Sequence, residues 1–130
     1  MMEEDSIEVF HNGSFGELSF SKTAALMYCQ MKGLNEKEFD ESKIERTDPH
    51  IIRIIKDLGE TANGRYADLK VTNIPLKYNS YFYIDDYDGL ESVLIDYKQY
   101  KLDKIRDLIA NQDSELASCI ADILNASEQD

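Results

Sequence analysis

Tryptophan is absent from this chain, and cysteine, histidine and proline occur only twice each. Two cysteines, Cys29 and Cys119, cannot build a disulfide framework or the ligand set of a zinc knuckle. Each falls at an apolar position of an expected helix and reads as a buried, reduced core thiol. With His11 and His50 the only imidazoles, a His-based catalytic constellation has little to draw on. Gly13-Ser14-Phe15-Gly16 is not the G-x-S-x-G nucleophile elbow, and no phosphate-cradling glycine motif occurs. The longest apolar run, Ala24 to Cys29, is far too short to span a membrane. The acidic start, Met1 to Asp5, lacks the apolar stretch of a secretory signal. The expectation is a soluble, cytoplasmic protein with no catalytic residues, no metal and no cofactor.

Basic residues are also scarce. Fourteen Lys and Arg stand against 26 Asp and Glu, a net charge of −12 over 130 residues. Such a surface disfavours direct binding to nucleic acid or to an anionic membrane, both of which need a positive face. It suits a partner protein with a basic surface, including one whose basic channel normally holds nucleic acid. The size is that of one domain, and 42% apolar with 31% charged residues fits a folded chain.

Alternation over Ser6 to Phe10 predicts a strand, and Asn12-Gly13 a turn. Ser21 is placed to cap a helix over Lys22 to Met31, with Gly33 as its stop. Residues 35 to 46 are polar and read as a loop or short strand pinned by Phe39 and Ile44. Thr47-Asp48-Pro49 is a helix start, and Ile51, Ile54, Ile55 and Leu58 form one buried stripe widened by Ile52. Three strands follow, over Asp68 to Ile74, Tyr81 to Asp85 and Glu91 to Tyr97, and their closeness in sequence predicts an antiparallel meander. Stripes at Leu102, Ile105, Leu108, Ile109 and at Leu116, Cys119, Ile120, Ile123, Leu124 predict two final helices. The fold class expected is α+β: a small antiparallel sheet of three to five strands packed by helices over 1–98. A C-terminal acidic helical hairpin over 99–130 would belong to the same compact unit.

The densest polar feature is the turn Asp85, Asp86, Tyr87, Asp88, with Glu91 just beyond. Its readings are a solvated hairpin turn, an acidic knob for a partner, or a cation site. The last fails as an EF-hand, because Gly89 at the sixth loop position would put Ile84 and Ile95 at the first and twelfth. Tyr81 and Tyr83 read as the outer face of the same strand, beside acids, which makes a protein-recognition surface. No Arg or Lys lies between Lys77 and Lys98 to hold the phosphate of a stacked base. After Arg106 the chain carries acids but no bases, among them Asp107, Glu115 and Asp122. These acidic helix faces solubilise, meet a basic partner, or flank a homodimer contact.

From Arg46 to Glu91 the chain resembles a family of small uncharacterised accessory proteins of bacteriophages and large DNA viruses. The residues that carry the resemblance are Arg46-Thr47-Asp48-Pro49, Ile51-Ile52, Leu58-Gly59, Ala62-Asn63-Gly64-Arg65, Ala67 to Val71, Ile74-Pro75 and Ile84 to Glu91. Members of that family tend to end soon afterwards in a basic-aromatic segment. Here Val93 to Tyr97 runs instead toward acidic helices. The resemblance implies a viral accessory role and no settled activity. The leading expectation is a non-enzymatic inhibitor of a host defence protein, such as a CRISPR effector, acting through Asp85, Asp86, Tyr87, Asp88, Glu91, Tyr81, Tyr83, Asp107, Glu115 and Asp122. The alternative is a sponge for a small cyclic nucleotide signal, with Arg46, Arg65 and Lys70 on phosphate and Tyr83 or Tyr87 on the base.

Overall fold

The computed structural model describes residues 5–111, 118–119 and 121–125. The chain divides into two compact units, Met1–Leu94 and Ile95–Asp130.

In the first unit, β1 (Ser6–Asn12) pairs antiparallel with β2 (Leu69–Pro75), Phe10 opposite Val71 and Asn12 opposite Leu69. Between them come α1 (Lys22–Lys32) and α2 (Pro49–Leu58). The Ser21 hydroxyl accepts the Ala24 N–H to start α1, and Asp48 accepts the His50 N–H to start α2 with Pro49 in its first turn. α2 has a sharply one-sided apolar stripe, so Ile51, Ile52, Ile54 and Ile55 are all buried. They meet Phe10 and Leu69, which share one face of the β1–β2 sheet, and Ala24 and Tyr28 of α1. A chain of edge-on rings, Phe10, Phe20, Phe39 and Tyr28, closes this core at centroid spacings of 5.7, 6.1 and 5.9 Å. Residues 35–46 hold two single 3₁₀ turns, Glu36–Glu38 and Glu41–Lys43, and Phe39 and Ile44 are the anchors that bury against the core.

β3 (Phe82–Tyr87) and β4 (Leu90–Ile95) form a second two-stranded sheet, a hairpin closed by Asp88-Gly89. Both turn residues have positive φ, 56° and 92°, as a tight two-residue turn demands. The expected three-stranded meander is therefore corrected to two separate sheets. Alternation reveals which residues share a face but not which strand is the partner. β2 takes β1 as its partner, and the 3₁₀ turn Leu76–Tyr78 parts it from β3. The third strand also ends earlier than expected. The Asp96 side chain caps the Gln99 N–H, so Tyr97 starts a helix instead of finishing a strand.

The second unit contains α3 (Tyr97–Ala110), and residues 118–119 and 121–125 are helical. Arg106 donates to the Asn125 side-chain oxygen at 2.9 Å. Cys119 is exposed, which corrects the expectation of a second core thiol, while Cys29 is buried as expected. Among the described residues no helix is long and apolar enough to cross a membrane.

Candidate functional site

The end of β1 organises the most unusual polar cluster in the first unit. Asn12 is fully buried. Its Oδ1 accepts the Asp68 N–H at 2.9 Å, and its Nδ2 faces the carbonyls of Gly89, Ser14 and Gly16 at 2.9, 3.0 and 3.2 Å. Its backbone N–H donates to Glu91 Oε1 at 2.9 Å. One side chain thus binds the β1 end, the 14–16 loop, the start of β2 and the β3–β4 turn. The Gly16 N–H adds a bond to the Asp88 carbonyl at 3.1 Å. The turn approaches so closely that a Cβ on Gly89 would overlap the Gly16 carbonyl.

Glu91 is not the exposed partner contact expected of it. It is 8% exposed and receives both arms of the Arg46 guanidinium, Nη1 at 2.6 Å and Nη2 at 3.0 Å. Arg46 also lies over the Phe10 ring, 5.2 Å from its centroid. Burial pushes the Glu91 carboxyl up. The Arg46 and Asn12 donors more than offset that and hold it below its ordinary value. The reason for the correction is parity: Glu91 lies on the same side of β4 as the half-buried Val93 and Ile95. Its pairing uses Arg46, so that arginine is not free for the phosphate role.

The remaining acids behave differently. An open groove of about 810 Å³ runs beside this ion pair, with Glu17, Glu41, Asp86 and Asp88 on its walls and Arg46 as its one basic lining residue. Burial, then the charges of Asp40 and Glu17, push the Glu41 carboxyl above its ordinary value, against the lowering bond from the Phe20 N–H. Asp85, Asp86 and Asp88 are exposed, with Asp86 Oδ1 accepting the Gly89 N–H at 2.8 Å. Tyr83 and Tyr87 are exposed, Tyr81 is half-buried, and the Tyr87 ring sits edge-on to Phe15 at 6.4 Å. Asp107 on α3 and Asp122 are exposed, and Glu115 lies outside the described residues.

The alternative anion site is not assembled. The groove beside Arg46 includes neither Arg65 nor Lys70. Arg65 stacks on Tyr66 at 5.0 Å, and Lys70 pairs with Asp68 at 3.3 Å. The carboxylates around Arg46 would repel a phosphate. His11 bonds Thr72 Oγ1 through Nε2 at 2.8 Å, and burial lowers its pKa against the raising influence of the Glu91 backbone and carboxylate. His50 Nδ1 lies 3.3 Å from Asp48. Among the described residues no group of three or more His, Cys, Asp or Glu is placed to hold a metal ion. The Asn12 cluster was missed from sequence. Its one signal was a polar residue at the inward position two beyond Phe10, masked by the turn reading of Asn12-Gly13.

No protein-family model matches this chain, and neither a curated protein nor a solved structure matches it.

Proposed function

We propose that this protein is a non-enzymatic viral accessory protein that binds a basic host defence protein and inhibits it by occupation. A CRISPR effector, with its basic nucleic-acid channel, is the sharpest form of that target. The observation that carries the reading is the groove in which Glu17, Glu41, Asp86 and Asp88 surround an arginine already held by Glu91. Four carboxylates line this groove, and a cationic side chain entering it would be attracted by each of them. Each exposed pair so formed contributes only about 0.2–1 kcal/mol, so several must act together. The −12 field adds to this by raising the rate of encounter with a basic surface. The site of action on this reading is the host cytoplasm, and a homodimer through the C-terminal helices remains compatible with it.

The test is affinity capture from host lysate at low salt. The tagged full chain is compared with the variant Glu17→Gln, Glu41→Gln, Asp86→Asn, Asp88→Asn. One stoichiometric basic protein, released by salt and lost with the variant, is the expected result. Equal capture by both chains would remove the groove from the reading. A released nucleotide in place of a protein would replace it by the sponge.

A further inference from the structure

The β3–β4 hairpin has two unlike faces. Its inward face carries Glu91 against Arg46, with Ile84 and Val93 half-buried. Its outward face carries Tyr83 (50% exposed), Asp85 and Tyr87 (71%) at successive alternate positions of β3, all toward solvent. The two-residue turn fixes the register, so exposed Leu94 stands across from Tyr83. Phe15, 62% exposed, extends the face beyond Tyr87. Exposed aromatic side chains aligned along one strand face are a mark of an interaction surface. Here one carboxylate lies in the middle of the stripe.

We infer that this outward face docks an arginine-bearing segment of a partner protein, the guanidinium lying between Tyr83 and Tyr87 with its fork on Asp85. The inference deepens the function proposed above and rests on its basic partner. Charge decides the occupant: an aromatic stripe alone would accept any apolar segment, whereas Asp85 in its middle would leave an apolar or acidic one with a desolvated or opposed carboxylate. Arginine is favoured over lysine because a planar guanidinium stacks on a ring and forks onto a carboxylate together. The chain already contains that arrangement, since Arg46 lies over Phe10 while both its arms reach Glu91. The face is also preformed. Asn12 and Gly16 hold the turn from below, so little ordering is left for binding to do.

The experiment is fluorescence anisotropy at low salt with a labelled peptide of alternating glycine and arginine and its lysine counterpart. Expected are tighter binding of the arginine peptide and a loss of about tenfold in Tyr83→Ser/Tyr87→Ser. Asp85→Asn should lose several-fold, Tyr83→Phe/Tyr87→Phe should keep the affinity because the rings remain, and Asp107→Asn/Asp122→Asn should change little. If both peptides bind alike and the serine variant binds as well as the parent, the contact is a diffuse charge effect. The inference then falls while the basic-partner reading stands. If neither peptide binds, the basic-partner reading falls as well.

Discussion

Replacing Asn12 tests whether one buried amide holds the hairpin to the sheet. Asn12→Ala strips the acceptor from the Asp68 N–H and the donor from three carbonyls, at Gly89, Ser14 and Gly16. A net contribution of roughly 1 kcal/mol per hydrogen bond puts the loss at about 3–4 kcal/mol. That is a large part of the roughly 5–15 kcal/mol that holds a domain together. With a urea slope of about 1–3 kcal/mol/M, the midpoint should fall by roughly 1–4 M. Asn12→Asp is nearly isosteric and keeps the acceptor, yet should be worse at pH 7. Its carboxylate would face those three carbonyls and lie near Glu91, whose Oε1 holds the Asn12 N–H. Acidification should partly rescue it, because a protonated carboxyl can donate again. Hydrogen exchange at the Gly16 amide, which donates to the Asp88 carbonyl, reports whether the hairpin lifts before the core unfolds. A loss under about 1 kcal/mol in Asn12→Ala, or an Asp variant milder than the Ala variant at pH 7, would refute the clasp.

Gly89→Ala should cost more than about 2 kcal/mol, because the added methyl meets the Gly16 carbonyl at a φ of 92°. Gly33→Ala, also at positive φ but with open space around it, is the control in thermal unfolding, and an equal loss would remove the close approach from the account. Stability should fall with acid in two windows. Burial depresses the His11 pKa from 6.5, so below that pH the unfolded chain takes up a proton that the folded one refuses. Glu91, held below 4.5, contributes stability above that value, which is lost as pH falls through its lower folded pKa. His11→Gln should flatten the first window in urea midpoints between about pH 7 and pH 5, and an unchanged slope would exclude His11 as its source. Burial, then the bond to Asp48, pushes the Tyr28 hydroxyl up to about 12. Tyr28→Phe should remove that late phenol from an alkaline absorbance titration and, through loss of the 2.7 Å bond to a carboxylate, about 1.5 kcal/mol of stability.

What sequence reasoning reached follows from local rules. Asp48-Pro49 and the four isoleucines of α2 specify a start and a buried stripe, and both are where expected. The parity of Leu69 and Val71 against Lys70 and Thr72 is also found, since each pair shares a sheet face. Pairing was not local. The partner of β2 lies some sixty residues earlier, and nothing in a period of two encodes that choice. The candidate site divides the same way. Exposure of Asp85, Tyr83 and Tyr87 follows from composition and alternation. The Arg46–Glu91 pair joins residues 45 apart, and the Asn12 bonds to Gly89 and Asp68 span 77 and 56.

The acids of this hairpin therefore do opposite work although they are neighbours in sequence. Glu91 is spent inside, where two arginine arms and a backbone N–H satisfy it and fix the tip in place. Asp85 is carried outside by the same alternation that turns Glu91 in, and it lies among rings that give contact area at low entropy cost. A binding face on a lone two-stranded hairpin would ordinarily be soft, because such hairpins are marginal by themselves. Here the Asn12 clasp and the Gly16–Gly89 approach supply the missing support from the sheet side. The buried polar cluster and the exposed aromatic face are thus two sides of one device. A mutation on the inner side should weaken binding on the outer side without altering a single exposed atom.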